Sequence, residues 1–162
     1  MAGARYVASG VNTLTTVADT ALTVTGNATT AHRMWLYDIM FGNHGTPADL
    51  VSTYLVGQVS APGTGTGVTP TLLEPGADRA AQAVANFNHT TEPTYTDTGT
   101  DLAVPAQGDL LRVPLNHRAT YRWVAPPGGE YVSAAVTTDG WGGKTDHASA
   151  VTDYNFTFSW IE

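Results

Sequence analysis

Polar and apolar residues alternate most cleanly at the end of the chain. There Tyr154, Phe156, Phe158 and Trp160 fall at every second position, with Asn155, Thr157 and Ser159 between them. Successive side chains of a strand point to opposite faces, so the four rings share one face, and such a row belongs against a core. The same period runs through Val11 to Val24, where Thr alternates with Val, Leu and Ala. It predicts Leu14, Leu22 and Val24 inward before Gly26-Asn27 breaks the pattern. Residues 32–41 are apolar on both sides. Strict alternation puts Trp35, Tyr37, Ile39 and Phe41 on one face and Met34, Leu36, Asp38 and Met40 on the other. One face fits the core; the other calls for a loop, a second sheet or a neighbouring subunit.

Further strands are predicted over Val51–Val59, through Leu111, Val113 and Leu115, and through Ala119, Tyr121 and Trp123. Pro126-Pro127-Gly128-Gly129 then reads as the turn of a hairpin whose return strand begins at Tyr131. Gly42 to Asp49 and Ala61 to Gly67 read as loops, and residues 86–108 as a long polar connection. One short Ala-rich helix is predicted over Ala77–Ala85, delimited by Pro75-Gly76, with Asp78 near its positive end. Strands at roughly ten-residue intervals make the fold class all-β: an antiparallel β-sandwich, jelly-roll-like, with one short helix. Residues 1–12 hold few apolar side chains and two glycines. They are set apart as an N-terminal arm that orders against a neighbour, before a single sandwich domain over 13–162.

Composition narrows the function classes. Thr is the commonest residue, at 26 positions, and only 13% of residues are charged, about half the usual share. A thinly charged, Thr-rich surface suits contact with other proteins. The net charge is −7, from fourteen acidic and seven basic residues. Arg118 and Arg122 are the one close basic pair, so a phosphate backbone is not an expected partner. No cysteine is present, which removes disulfides and thiolate metal sites. No apolar run approaches a membrane span, and the first residues lack the charged start and apolar run of a signal peptide.

Candidate chemistry is sparse. His32, His44, His89, His117 and His147 form no His-x-His pair, and Asp139, Asp146 and Asp153 lack the spacing of a calcium loop. No serine stands in a nucleophile elbow, and Gly63 to Gly67 lacks the lysine and helix of a phosphate loop. Carboxylate pairs such as Asp97/Asp101 and Glu74/Asp78 read as solvated loop charges. No catalytic residue, metal or cofactor is therefore assigned. Trp123 and Trp160 belong to the core by alternation. Trp141, between Gly140 and Gly142, is predicted on a loop, free either to anchor a partner or to fold back over the core. The candidate partner-contact residues are Tyr6 and Val7 of the arm, Trp141, Arg118 and Arg122.

Four stretches carry a resemblance. They are Gly45-Thr46-Pro47-Ala48-Asp49, Gly63-Thr64-Gly65-Thr66-Gly67-Val68-Thr69-Pro70, the run from Asn88 to Tyr95, and the run from Pro114 to Glu130. Together they resemble small structural proteins of tailed bacteriophages, the group that includes capsid decoration or cement proteins. The match covers roughly residues 42–135 and rests on turn and strand patterns rather than on chemistry. The resemblance implies a β-sandwich subunit made in the host bacterial cytoplasm and placed on the outer surface of the virion capsid. It also implies a homotrimer with the major capsid protein as partner; charge and hydropathy, as above, point to no nucleic acid and no membrane partner. An acidic chain fits an outward position, away from packaged DNA. The alternative expectation is a tail or fibre β-module that binds a host glycan, which calls for exposed rings beside acidic, amide and Arg side chains in a groove. A hydrolase is the third.

Overall fold

A computed structural model describes residues 3–14, 19–27, 29–44, 49–74, 79–96, 109–145 and 152–162. Among them there is no helix, and every strand pairing is antiparallel. The first sheet is built from β1 (Arg5–Leu14), β3 (Trp35–His44), β6 (Thr71–Leu72), β10 (Thr120–Val124), β11 (Tyr131–Val132) and β13 (Thr152–Ile161). Its order is β10-β3-β13-β1-β6, with β11 also on β3. The second holds β2 (Asp19–Thr25), β4 (Val51–Ala61), β5 (Thr64–Val68), β7 (Val84–Thr91), β8 (Thr94–Tyr95), β9 (Asp109–Asn116) and β12 (Gly140–Thr145). Its order is β5-β7-β2-β12-β4-β8, with β9 beside β4. The chain passes repeatedly from one layer to the other, giving the β-sandwich the alternation calls for.

Register explains the core. Tyr6, Trp160, Leu36 and Tyr131 stand side by side across the first sheet; the next inward rows are Ala8-Phe158-Ile39-Trp123 and Gly10-Phe156-Phe41-Tyr121. The Tyr6 and Trp160 rings stack at 5.9 Å, and Phe41 lies 5.1 Å from Phe156. Tyr54 of the second sheet reaches across to Phe41 at 5.0 Å, and burial pushes its hydroxyl pKa up to about 12. Leu22 and Val24 are fully buried opposite, as their alternation predicts. The layers meet closely at Gly143, where a Cβ would lie 2.5 Å from the Phe156 ring.

Several expectations are corrected. Residues 5–12, set apart as an arm, belong to β1, which pairs with β13 over its whole length and with β6 at one end. Few large side chains are needed there, because β1 runs close against the second sheet. A Cβ on Gly10 would clash with the Ala21 carbonyl and lie 2.8 Å from Phe87 Cβ, and Asn12 donates to the Thr20 carbonyl at 3.1 Å. The helix expected over Ala77–Ala85 does not form in the described part: residues 79–83 are irregular and Val84 opens β7. Nine Ala-rich residues make a marginal helix alone. Here the Gln82 and Ala83 amides are drawn instead to the Glu162 carboxylate at 2.8 and 2.9 Å, and Ala83 and Ala85 are buried.

The hairpin at Pro126–Gly129 is also not one. β10 and β11 both run antiparallel to β3, so they are successive stretches of one edge, interrupted by a loop. The loop closes with Gly129 donating to the Pro126 carbonyl at 2.8 Å and Trp123 stacked on Tyr131 at 4.7 Å. The Gly-Thr run, expected as a loop, forms edge strand β5, and residues 86–91 of the supposed polar connection form most of its partner β7. Asp97, Asp101, Asp78, Asp146 and His147 lie outside the described residues.

Candidate functional site

The outward side chains of the first sheet form the surface that composition singles out. Across β1, β13, β3 and the β10 edge they fall in rows: Arg5-Ile161-Trp35-Val132, then Val7-Ser159-Asp38-Val124, Ser9-Thr157-Met40-Arg122, and Val11-Asn155-Gly42-Thr120. Apolar side chains recur in every row, and Trp35, Met40 and Val124 are exposed at 37%, 38% and 54%. The small polar groups bond among themselves: Ser9 Oγ lies 2.8 Å from Thr157 Oγ1. Thr13 Oγ1 donates to Asp153 at 2.5 Å.

A bulge decides what this face carries. The β13–β3 register slips by one residue between Ser159 and Trp160, which face Asp38 and Leu36, leaving Tyr37 unpaired in that ladder; its carbonyl instead accepts the Ala125 amide at 2.8 Å. The grouping of Trp35 with Ile39 and Phe41 is thereby corrected. Leu36, Ile39 and Phe41 point inward, and Trp35 and Met40 point out. Both faces of β3 are apolar, as predicted, but with Trp35 on the open one.

Charge on the face is nearly self-cancelling. Arg122 makes a two-pronged pair with Asp38, Nη2 to Oδ2 at 2.6 Å and Nε to Oδ1 at 3.0 Å, and that hydrogen bonding raises the guanidinium pKa further. Arg5 Nε meets Glu74 at 3.1 Å. Of the residues named as partner contacts, Val7 and Arg122 stand on this face. Arg118 stands off it, on the turn after β9, 3.8 Å from Asp49 and well exposed. Tyr6 is buried in the core, its hydroxyl donating to the Arg79 carbonyl at 3.1 Å. Trp141 is not on a loop. It is fully buried in β12, paired with Val24 on one side and Gln58 on the other, because the flanking glycines admit close neighbours rather than flexibility. Neither Tyr6 nor Trp141 presents a surface to a partner.

No family model, curated protein or solved structure matches this chain. Among the described residues no group of three or more His, Asp or Glu side chains converges as metal ligands would. A polar cluster lies on the outer side of the second sheet. Glu92 accepts from the Thr20 hydroxyl at 2.6 Å, Tyr95 OH lies 2.9 Å from that hydroxyl, and Lys144 Nζ sits 4.3 Å above the Tyr95 ring. Burial lowers the Lys144 pKa against the pull of Glu92, and it raises that of Tyr95. His89 bridges Thr23 Oγ1 at 3.1 Å and the Thr20 carbonyl at 3.3 Å. These bonds fasten the 89–95 segment to β2. Trp35 is the surface ring that alternation misses. Only the bulge turns it outward, and nothing in the local residue pattern announces a bulge.

Proposed function

We propose that the chain is a non-enzymatic virion structural protein of a tailed bacteriophage, a capsid decoration protein that clamps neighbouring major capsid proteins on the outer shell as a homotrimer. The observation that carries the reading is the open face of the first sheet: its charges paired within the chain, and lined with Val7, Val11, Met40 and Val124, on a chain of net charge −7. The resemblance of the 42–135 region supports the same reading. In mechanism, each copy contributes a weak apolar contact, and linkage between copies converts weak contacts into avidity. Because the clamp binds only the assembled shell, it stabilises that state over free subunits.

The test is co-sedimentation of the purified protein with capsids of the encoding virus stripped of this component. The wild-type chain is expected to pellet with the shells, and Met40→Asp, which places a charge in the middle of the face, to stay largely in the supernatant. Absence of wild-type pelleting overturns the proposal. Equal pelleting of both proteins removes the face from it.

A further inference from the structure

The end row of the same sheet opens into a groove of about 900 Å³, within the range of small-ligand sites. Its floor is Ile161, with Trp35 on one side and Arg5 on the other; these three stand on adjacent strands, so the outer two are roughly 10 Å apart. Glu74, Arg79 and Glu130 complete the rim. Gly3 leaves the end of the groove without a side chain: a Cβ there would clash with Ile161, and beside it the Ala4 and Glu162 backbones exchange hydrogen bonds at 3.1 and 3.0 Å.

We infer that this groove binds a neutral saccharide of one or two rings, stacked on Trp35 and hydrogen-bonded through its hydroxyls to the Arg and Glu side chains of the rim. The Trp35 ring supplies an apolar face for the C–H side of a sugar. Hydroxyls donate and accept at once, so they are matched by a rim holding both guanidinium donors and carboxylate acceptors. Charge selects against the other classes. Two cations, Arg5 and Arg79, balance two anions, Glu74 and Glu130. The third carboxylate, Glu162, has its side chain almost fully buried and is already bonded to the Gln82 and Ala83 amides and to Trp160 Nε1 at 3.0 Å. A phosphate would face Glu74 and Glu130. An ammonium drawn to the ring would face Arg5 and Arg79. An uncharged polyol meets neither penalty. The groove shares Arg5, Ile161 and Trp35 with the open face, but its binding is read on the isolated chain, so its failure and that of the clamp are distinguishable.

The experiment is a titration of the ¹⁵N-labelled full chain with chitobiose, maltose and cellobiose in turn, followed by amide and indole resonances. At least one disaccharide is expected to shift the Trp35 indole N–H together with the Gly3 and Ile161 amides, with millimolar affinity. Trp35→Ala is expected to weaken that binding by at least about tenfold, while Arg118→Ala, off the face, leaves it unchanged. Glu130→Gln, which keeps the size and loses the charged acceptor, is expected to weaken it less, and it serves as the decisive variant should Trp35→Ala fail to fold. No shift with any of the three sugars, shifts mapping away from the groove, or binding unaltered in the folded variants overturns the inference.

Discussion

At the scale of single residues, the polar cluster on the second sheet sets a pH dependence whose sign is determined. Burial lowers the His89 pKa from its ordinary 6.5, against smaller opposing effects of the Thr20 carbonyl and Glu92. The folded state therefore holds the ring neutral where the unfolded chain would protonate it. Between the two pKa values the unfolded state binds more protons, so stability rises with pH there and is lost as pH falls below about 6.5. Thermal melts across that range should show the midpoint dropping on acidification. His89→Gln, which keeps a partner for Thr23, should flatten part of the drop, and parallel curves for the two proteins would show that His89 does not contribute. Burial of the terminal rings, and of Leu22 and Val24, was legible in the sequence, because alternation alone specifies it. The fates of Tyr6, Trp35 and Trp141 were not, because each depends on which strand lies alongside. Tyr6 is buried by β13, Trp35 is turned out by a bulge, and Trp141 is enclosed between β2 and β4.

At the scale of elements, the glycines explain why some strands were legible and others were not. Val51–Ala61 and Asp109–Asn116 carry enough β-branched and leucine side chains to declare themselves. Gly140–Thr145 and Thr64–Val68 are strands with few side chains, and sequence reasoning treats Gly-rich stretches as loops. In β12 the reason for glycine is contact: Gly143 faces the Phe156 ring and Gly142 lies beneath the Tyr95 hydroxyl. In β5 the two glycines differ: a Cβ on Gly65 would lie 2.8 Å from the Phe87 carbonyl oxygen, whereas at Gly67 it would meet nothing closer than Asn86 Oδ1 at 3.9 Å. Gly143 and Gly67 should therefore respond differently to the same substitution. Gly143→Ala overpacks the core and should cost about 1–3 kcal/mol, whereas Gly67→Ala should change stability by no more than about 0.5 kcal/mol. Urea unfolding of both variants measures this, and comparable small losses would mean that the layers have room to separate at Gly143.

At the scale of the whole molecule, charge and area together set how strongly the open face can associate. Four strands at 4.8 Å spacing, over four rows of outward residues, present roughly 500 Å² of sheet. A standard stable interface buries about 800 Å² from each partner. A footprint of that size makes the face a modest interface at most, and the like charge of copies carrying −7 each opposes association further. Local repulsion across it is reduced, since Arg122 pairs with Asp38 and Arg5 with Glu74 within one chain. Association through it should be weak, reversible and dependent on concentration, which is the regime in which several linked contacts on a shell gain most from avidity. Light scattering should show mass near 17.0 kDa in dilute solution, rising as concentration increases. Added salt, which screens the net repulsion between copies, should promote the rise. Met40→Asp should hold the protein at monomer mass across the same range. A wild-type chain that stays monomeric at the highest soluble concentration would leave the clamp without self-association, and a variant that assembles as well as wild type would move the interface elsewhere.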